Sequence, residues 1–169
     1  MIKVTVKDSD LRQAAGEGMD AFVGVFLKAL HDEVGEELTA ETMAQLNVSQ
    51  ITLMGYEILQ REVMDGGIIQ LIHNGYGGFI FLNPFAKLMR DWGLRDLAKM
   101  LFDCKKLYNK YHEQIERECT DEEFMALFEQ FPEFDDFDDE FVENEERFTA
   151  MVAAYVDDHI DDFCEIVNE

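Results

Sequence analysis

The stretch EFDDFDDEF, residues 133–141, sets six carboxylates and three phenylalanines in nine residues. Phe134, Phe137 and Phe141 stand at i, i+3 and i+7, the spacing of one face of a helix about two turns long. Asp135, Asp136, Asp138, Asp139 and Glu140 cover the rest of that surface. A disordered acidic tail has no use for phenylalanine at helical spacing, and a core helix does not carry like charges side by side. A helix docked by its phenylalanines on a core, with its carboxylates held in fixed places, reconciles the two.

Charge is unevenly spread. The 169 residues carry a net charge of −23, and 19 acids against one base (Arg147) in residues 121–169 contribute −18 of it. Adaptation to high salt would spread acid over the whole surface. A field this localised repels nucleic acid and anionic lipid and attracts basic partners. With 47% hydrophobic residues, including 14 Phe and 9 Met, the chain has the material for a sizeable core. No run approaches a membrane span, and MIKVTVKDSD has no long apolar region of a signal peptide. Cys104, Cys119 and Cys164 are odd in number and far apart, which suits reduced thiols in a cytoplasmic protein.

Nearly every segment reads as helix, and the fold class expected is a compact all-α domain over residues 1–169. IKVTVK (2–7) alternates as a strand does. With no clear second strand it is disordered, drawn into a helix, or an edge that pairs with another copy in a homodimer. Asp10 and Gln13 mark a helix start, and Leu11, Ala14, Ala15, Phe22, Val25, Phe26, Ala29 and Leu30 predict one helix up to Gly35. Thr39 caps a short helix through Leu46, and Ser49 caps the next, through Val63. Gly66 and Gly67 allow a bend or a close approach. Asn83-Pro84 starts a helix that ends near Gly93, and another runs from about Leu94 to Glu118. Thr120 and Glu123 form a capping box, and Pro132 closes that helix. After the two-turn acidic helix, a last helix buries Phe148, Met151, Val152, Tyr155, Val156, Ile160 and Phe163.

The acids of these last helices form like-charge i, i+4 pairs: Asp135/Asp139, Asp136/Glu140, Asp157/Asp161 and Asp158/Asp162. Each pair destabilises a helix by a few tenths of a kcal/mol. Residues four apart rise about 6 Å along a helix, a scale similar to the charge spacing of a nucleic-acid backbone. Asp135, Asp136, Asp138, Asp139, Glu140, Glu143, Glu145, Glu146, Asp157, Asp158, Asp161 and Asp162 are therefore the candidate partner-binding residues.

EVMDGGIIQLIHN (62–74) resembles the motif of the DNA-mimic-protein C-terminal domain family, through Glu62, Val63, Gly66, Gly67, Gln70 and Asn74. It departs from that pattern at Asp65, where Asn is usual, and at Leu71 and Ile72, where aromatics are usual. The helix end at Trp92-Gly93, the Phe- and Asp-rich segment and AAYVDDHIDDF are also similar to the family. The likeness covers about residues 50–163, leaving 1–48 as an N-terminal helical extension. It implies an all-α domain whose acidic surface occupies the DNA site of a basic, DNA-binding protein. The motif itself reads as structural, with the glycines at a tight bend and Gln70 and Asn74 satisfying backbone groups freed there.

Other chemistry finds little footing. DDFDDE lacks the glycine and alternation of a calcium loop. HEQIE (112–116) is not a zinc-protease motif, and the glycines of 66–78 precede no Gly-Lys-Ser/Thr. His159 lies near Asp158, Asp162 and Glu165, a coincidence made cheap by so many acids, and His31, His73 and His112 share no ligand spacing. Neither enzyme activity, nor a cofactor or metal, nor direct nucleic-acid binding is expected. Two further readings stand beside mimicry: an immunity- or antitoxin-like inhibitor that plugs a basic nuclease or other toxin, and a structural domain whose acids only solubilise it.

Overall fold

The structure, a computed structural model, describes residues 2–168. It is all-α apart from a two-stranded parallel sheet. The chain forms two compact units, one of Met1–Met54 with Arg147–Glu169 and one of Gly55–Glu146.

The first unit opens with strand β1 (Thr5–Lys7), followed by helices α1 (Asp8–Glu17), α2 (Met19–Val34) and α3 (Ala40–Ala44). It then contains the start of α4 (Val48–His73), the end of α8 (Asp135–Asp158), α9 (Ile160–Phe163) and strand β2 (Glu165–Val167). The expected strand finds its partner at the other end of its own chain. β1 pairs with β2 in register Thr5 to Glu165, Val6 to Ile166 and Lys7 to Val167. The edge therefore does not depend on a second copy. A three-residue strand after Cys164 is too short to announce itself in the sequence.

The single helix expected up to Gly35 is two helices. Gly18 lies at φ 129°, where only glycine is unstrained, and it separates α1 from α2. Apolar spacing continues through the break, which is why periodicity alone misses it. The two helices bury Leu11 and Ala14, then Val23, Phe26 and Leu30. Phe26 meets Phe163 edge-on at 6.2 Å between ring centres, and Tyr155 meets Phe163 in the same way at 6.4 Å.

Thr39 caps α3 as expected, in a reciprocal box with Thr42. The cap of α4 is Asn47 rather than Ser49. Asn47 Oδ1 accepts from Gln50 N–H at 2.8 Å, and Gln50 Oε1 accepts from Asn47 N–H at 3.0 Å. The two amide NH₂ groups then donate to the backbone carbonyls of Asp162 (2.7 Å) and Phe163 (3.0 Å). One capping box thus satisfies two carbonyls at the end of α9 as well as the start of α4.

The second unit contains most of α4, a π-helical turn (Gly78–Leu82), α5 (Phe85–Asp91), α6 (Arg95–Glu116), α7 (Asp121–Gln130), a 3₁₀ turn (Pro132–Phe134) and the first half of α8. Its core includes Tyr56, Leu59, Ile68, Ile72, Phe85, Met89, Leu97, Leu101, Phe134 and Phe141. Gly77 is required by packing, since a Cβ there would collide with the Tyr108 ring. The Thr120–Glu123 box caps α7 as expected. The acidic segment and the last helix, expected as two pieces, are one continuous helix of 24 residues. FDDEFVENEERF holds no glycine or proline to stop it.

Replacing Asn47 with Ala removes both the cap and the bond to Asp162. Urea unfolding should show a loss of about 1–2 kcal/mol. A change within a few tenths would mean the box is not formed.

Candidate acidic site

The site is built on α8, and α8 is positioned by a break in α4. At Gly67 the backbone takes φ 78°, ψ −176°, so α4 stops and restarts within one residue. A restarting helix exposes N–H groups with no partner of their own. Asp138 supplies one: its Oδ1 accepts from the Ile68 N–H at 2.7 Å. Gly67 must be glycine on two counts. Its φ is left-handed, and a Cβ would lie 2.5 Å from Asp138 Oδ2. Gly66 has a different reason, because a Cβ there would occupy the space of the Gln70 side chain.

The motif residues gather as expected but bond differently. Glu62 is only 6% exposed, and its Oε2 accepts from Gln70 Nε2 (2.7 Å) and Asn74 Nδ2 (3.2 Å). Gln70 Nε2 also reaches Asp65 Oδ2 at 3.0 Å. The two amides therefore satisfy a buried carboxylate rather than freed backbone. The backbone freed at the bend is served by Asp138, which lies far off in sequence.

The twelve candidate acids separate into two kinds. Asp135, Asp136, Asp139, Glu140, Glu143 and Glu146 are exposed in the second unit, and Asp157, Asp158, Asp161 and Asp162 are exposed in the first. Asp138 and Glu145 are half-buried. Glu145 accepts from Gln60 Nε2 at 2.5 Å. The signal for both was in the spacing: with Phe134, Phe141 and Phe148 they stand at i, i+4, i+7, i+11 and i+14, which is the buried stripe. Phe137, read as part of that stripe, is half-exposed beside it.

Burial pushes the Asp138 carboxyl up to about 6, the Ile68 N–H pulls it down, and the charges of Asp135 and Asp139 raise it further. Burial therefore outweighs the hydrogen bond. Glu133, fully exposed, is held below the usual carboxylate range by the Tyr111 hydroxyl.

The helix dipole gives part of the acid a structural reason. Asp135, Asp136 and Asp138 occupy the first turn of α8, where negative charge is favoured. Asp157 and Asp158 end the same helix, whose last turn holds no base, and there the dipole disfavours them. Among the described residues, Asp135, Asp136, Asp139, Glu143, Glu146, Asp157, Asp158, Asp161 and Asp162 take part in no ion pair. Ion pairing within the fold therefore accounts for none of these nine charges, and the dipole of α8 favours only Asp135 and Asp136 among them.

Comparison with known proteins now decides the family. The family model described as DMP19-like protein matches residues 44–159. The chain is also 32% identical over 127 residues to the DNA mimic protein DMP19 of Neisseria meningitidis serogroup B, covering 75% of this chain and 77% of that relative. The chain belongs to the DMP19-like family. In this DMP19-like protein the match takes in both the Glu62–Asn74 motif and the acids up to Asp158, and stops before Asp161 and Asp162.

The remaining candidates are engaged elsewhere. Cys104 and Cys164 are buried and unpaired; burial raises both thiols, that of Cys164 to about 11, far from a reactive thiolate. His159 stacks on Tyr155 and bonds its backbone carbonyl through Nδ1 at 2.8 Å. His73 bonds the Ile115 carbonyl, and His112 bonds Glu116. Among the described residues no group of three or more His, Cys, Asp or Glu is placed to hold a metal ion, and no helix is long and apolar enough to cross a membrane.

Asp138 gives a signed prediction. Its pKa in the fold lies above the usual carboxylate value of 3.8. The folded state then binds more protons than the unfolded state in that window, so this group lowers stability as pH rises from about 4 to 6. Asp138→Asn keeps the acceptor and drops the charge, so at pH 7 it should match or exceed the parent in thermal unfolding. That margin should shrink as pH falls below about 6. Asp138→Ala, which orphans Ile68 N–H, should lose about 1–2 kcal/mol.

Proposed function

We propose that this protein is a DNA mimic, whose exposed acids bind the nucleic-acid site of a basic, DNA-binding protein and block it. What carries the reading is that nine carboxylates without ion pairs stand on ordered helices in a chain whose relative is named a DNA mimic. Fixed carboxylates offer a partner a pattern, as phosphates do, whereas a tail offers only charge. The residues assigned to recognition are Asp135, Asp136, Asp139, Glu140, Glu143 and Glu146 in one unit and Asp157, Asp158, Asp161 and Asp162 in the other. Asp138 and Glu145 hold the helix that displays them. The action is binding, with no chemical step, and its setting is the cytoplasm.

The test separates display from recognition. Asp135→Lys, Asp136→Lys and Asp139→Lys together leave the Asp138 cap intact. They should abolish capture of a basic partner by the immobilised protein while the helical circular dichroism persists. Capture that survives the triple change removes these residues from the site. Asp157→Asn with Asp158→Asn should give the more telling pairing, weaker capture with higher stability. The gain should be about 0.3–1 kcal/mol per residue, because the dipole penalty is relieved.

A further inference from the structure

In a chain of net −23, residues 87–110 carry seven bases against three acids, half of the chain's 14 bases. Two of these bases are held by neighbouring acids, Lys99 by Asp103 at 2.7 Å and Lys87 by Asp91 at 3.5 Å. Arg90 and Lys105 form no ion pair among the described residues, despite the surplus of acid. Both line one cleft of about 410 Å³, bounded by the π-helical turn, α5 and α6. Its other walls include the buried Ile80, Phe81, Ala86 and Leu101. Leu82 and Phe102, also lining it, remain 61% and 46% exposed.

We propose that this cleft docks a short acidic peptide segment of another protein, one that carries an aromatic or aliphatic anchor beside one or two carboxylates. The apolar walls take the anchor, and Arg90 and Lys105 take the carboxylates, the guanidinium through paired N–H donors. A small anion seated in the cleft would leave Leu82 and Phe102 in water, whereas a peptide crossing the mouth covers both. A long polyanion is disfavoured: beyond the screening distance of about 8 Å the two cations no longer attract it, while the chain's net charge of −23 opposes its approach. A short segment stays within reach of the two cations. The site has the opposite sign to the mimic surface and so does not depend on that reading.

The probe is a displayed library of random short peptides, selected on the full chain and re-measured on Arg90→Glu/Lys105→Glu. Enriched sequences should place Asp or Glu next to Phe, Trp or Leu. Their affinity should fall about tenfold or more in the charge-reversed protein and stay unchanged in the Asp135/Asp136/Asp139 lysine variant. Arg90→Gln/Lys105→Gln, milder for the fold, should show the same direction, with circular dichroism confirming helix content. The proposal is overturned if nothing enriches, if only basic sequences enrich, or if acidic peptides bind both proteins equally. It is equally overturned if the cations turn out to govern binding of duplex DNA or anionic vesicles instead.

Discussion

The hydrogen bond from Ile68 N–H to Asp138 is the interaction on which the presentation of acid depends. α4 breaks at Gly67, the break frees a backbone donor, and the acidic helix answers it from seventy positions away in sequence. Gly67 is fixed by this arrangement both in conformation and in space. The bond is made at a carboxylate that burial holds near the edge of neutrality, with its pKa pushed up to about 6. An asparagine would serve the cap better. That aspartate stands there fits a segment in which negative charge is wanted for another reason, although Asp138 itself contributes to the scaffold.

From that anchor the charge pattern becomes intelligible. Acids in the first turn of α8 suit its dipole, and acids in its last turn oppose it. Like-charge neighbours one turn apart add a few tenths of a kcal/mol each. The buried phenylalanines Phe134, Phe141 and Phe148 offset these penalties, since each burial is worth roughly 1.5–3 kcal/mol. Packing therefore wins, and an otherwise unfavourable surface is stably displayed. The counterpart is the cluster of bases in α5 and α6, kept apart from the acids in sequence and left partly unpaired.

Much of this was legible in the residues. The caps at Thr39 and Thr120 and the docking role of Phe134 and Phe141 rest on local rules, and local rules can be read from sequence. The helix expected with Asn83 as its cap instead begins at Phe85, behind Pro84, and among the described residues Asn83 makes no capping bond. What escaped was set by distant partners or by the absence of a stop. β2 is three residues long and exists because β1 lies beside it. Asn47 outcompetes Ser49 because its amide also reaches the Asp162 carbonyl. α8 runs on because nothing in residues 141–148 ends it. At the site, composition marked all the acids alike. Only the stripe through Phe134, Asp138, Phe141, Glu145 and Phe148 separates supporting carboxylates from displayed ones, and the bond to Ile68 could not be foreseen from either segment alone.

The central claim is that a partner meets these carboxylates as it meets DNA. The most direct measurement is displacement: a basic protein captured from the source cell's lysate is challenged with increasing duplex DNA at fixed salt. The account predicts that duplex DNA releases the partner, with more released at each step of added DNA. A partner that stays bound at saturating DNA would contradict it, and would mean the acidic surface plugs a site that DNA does not share.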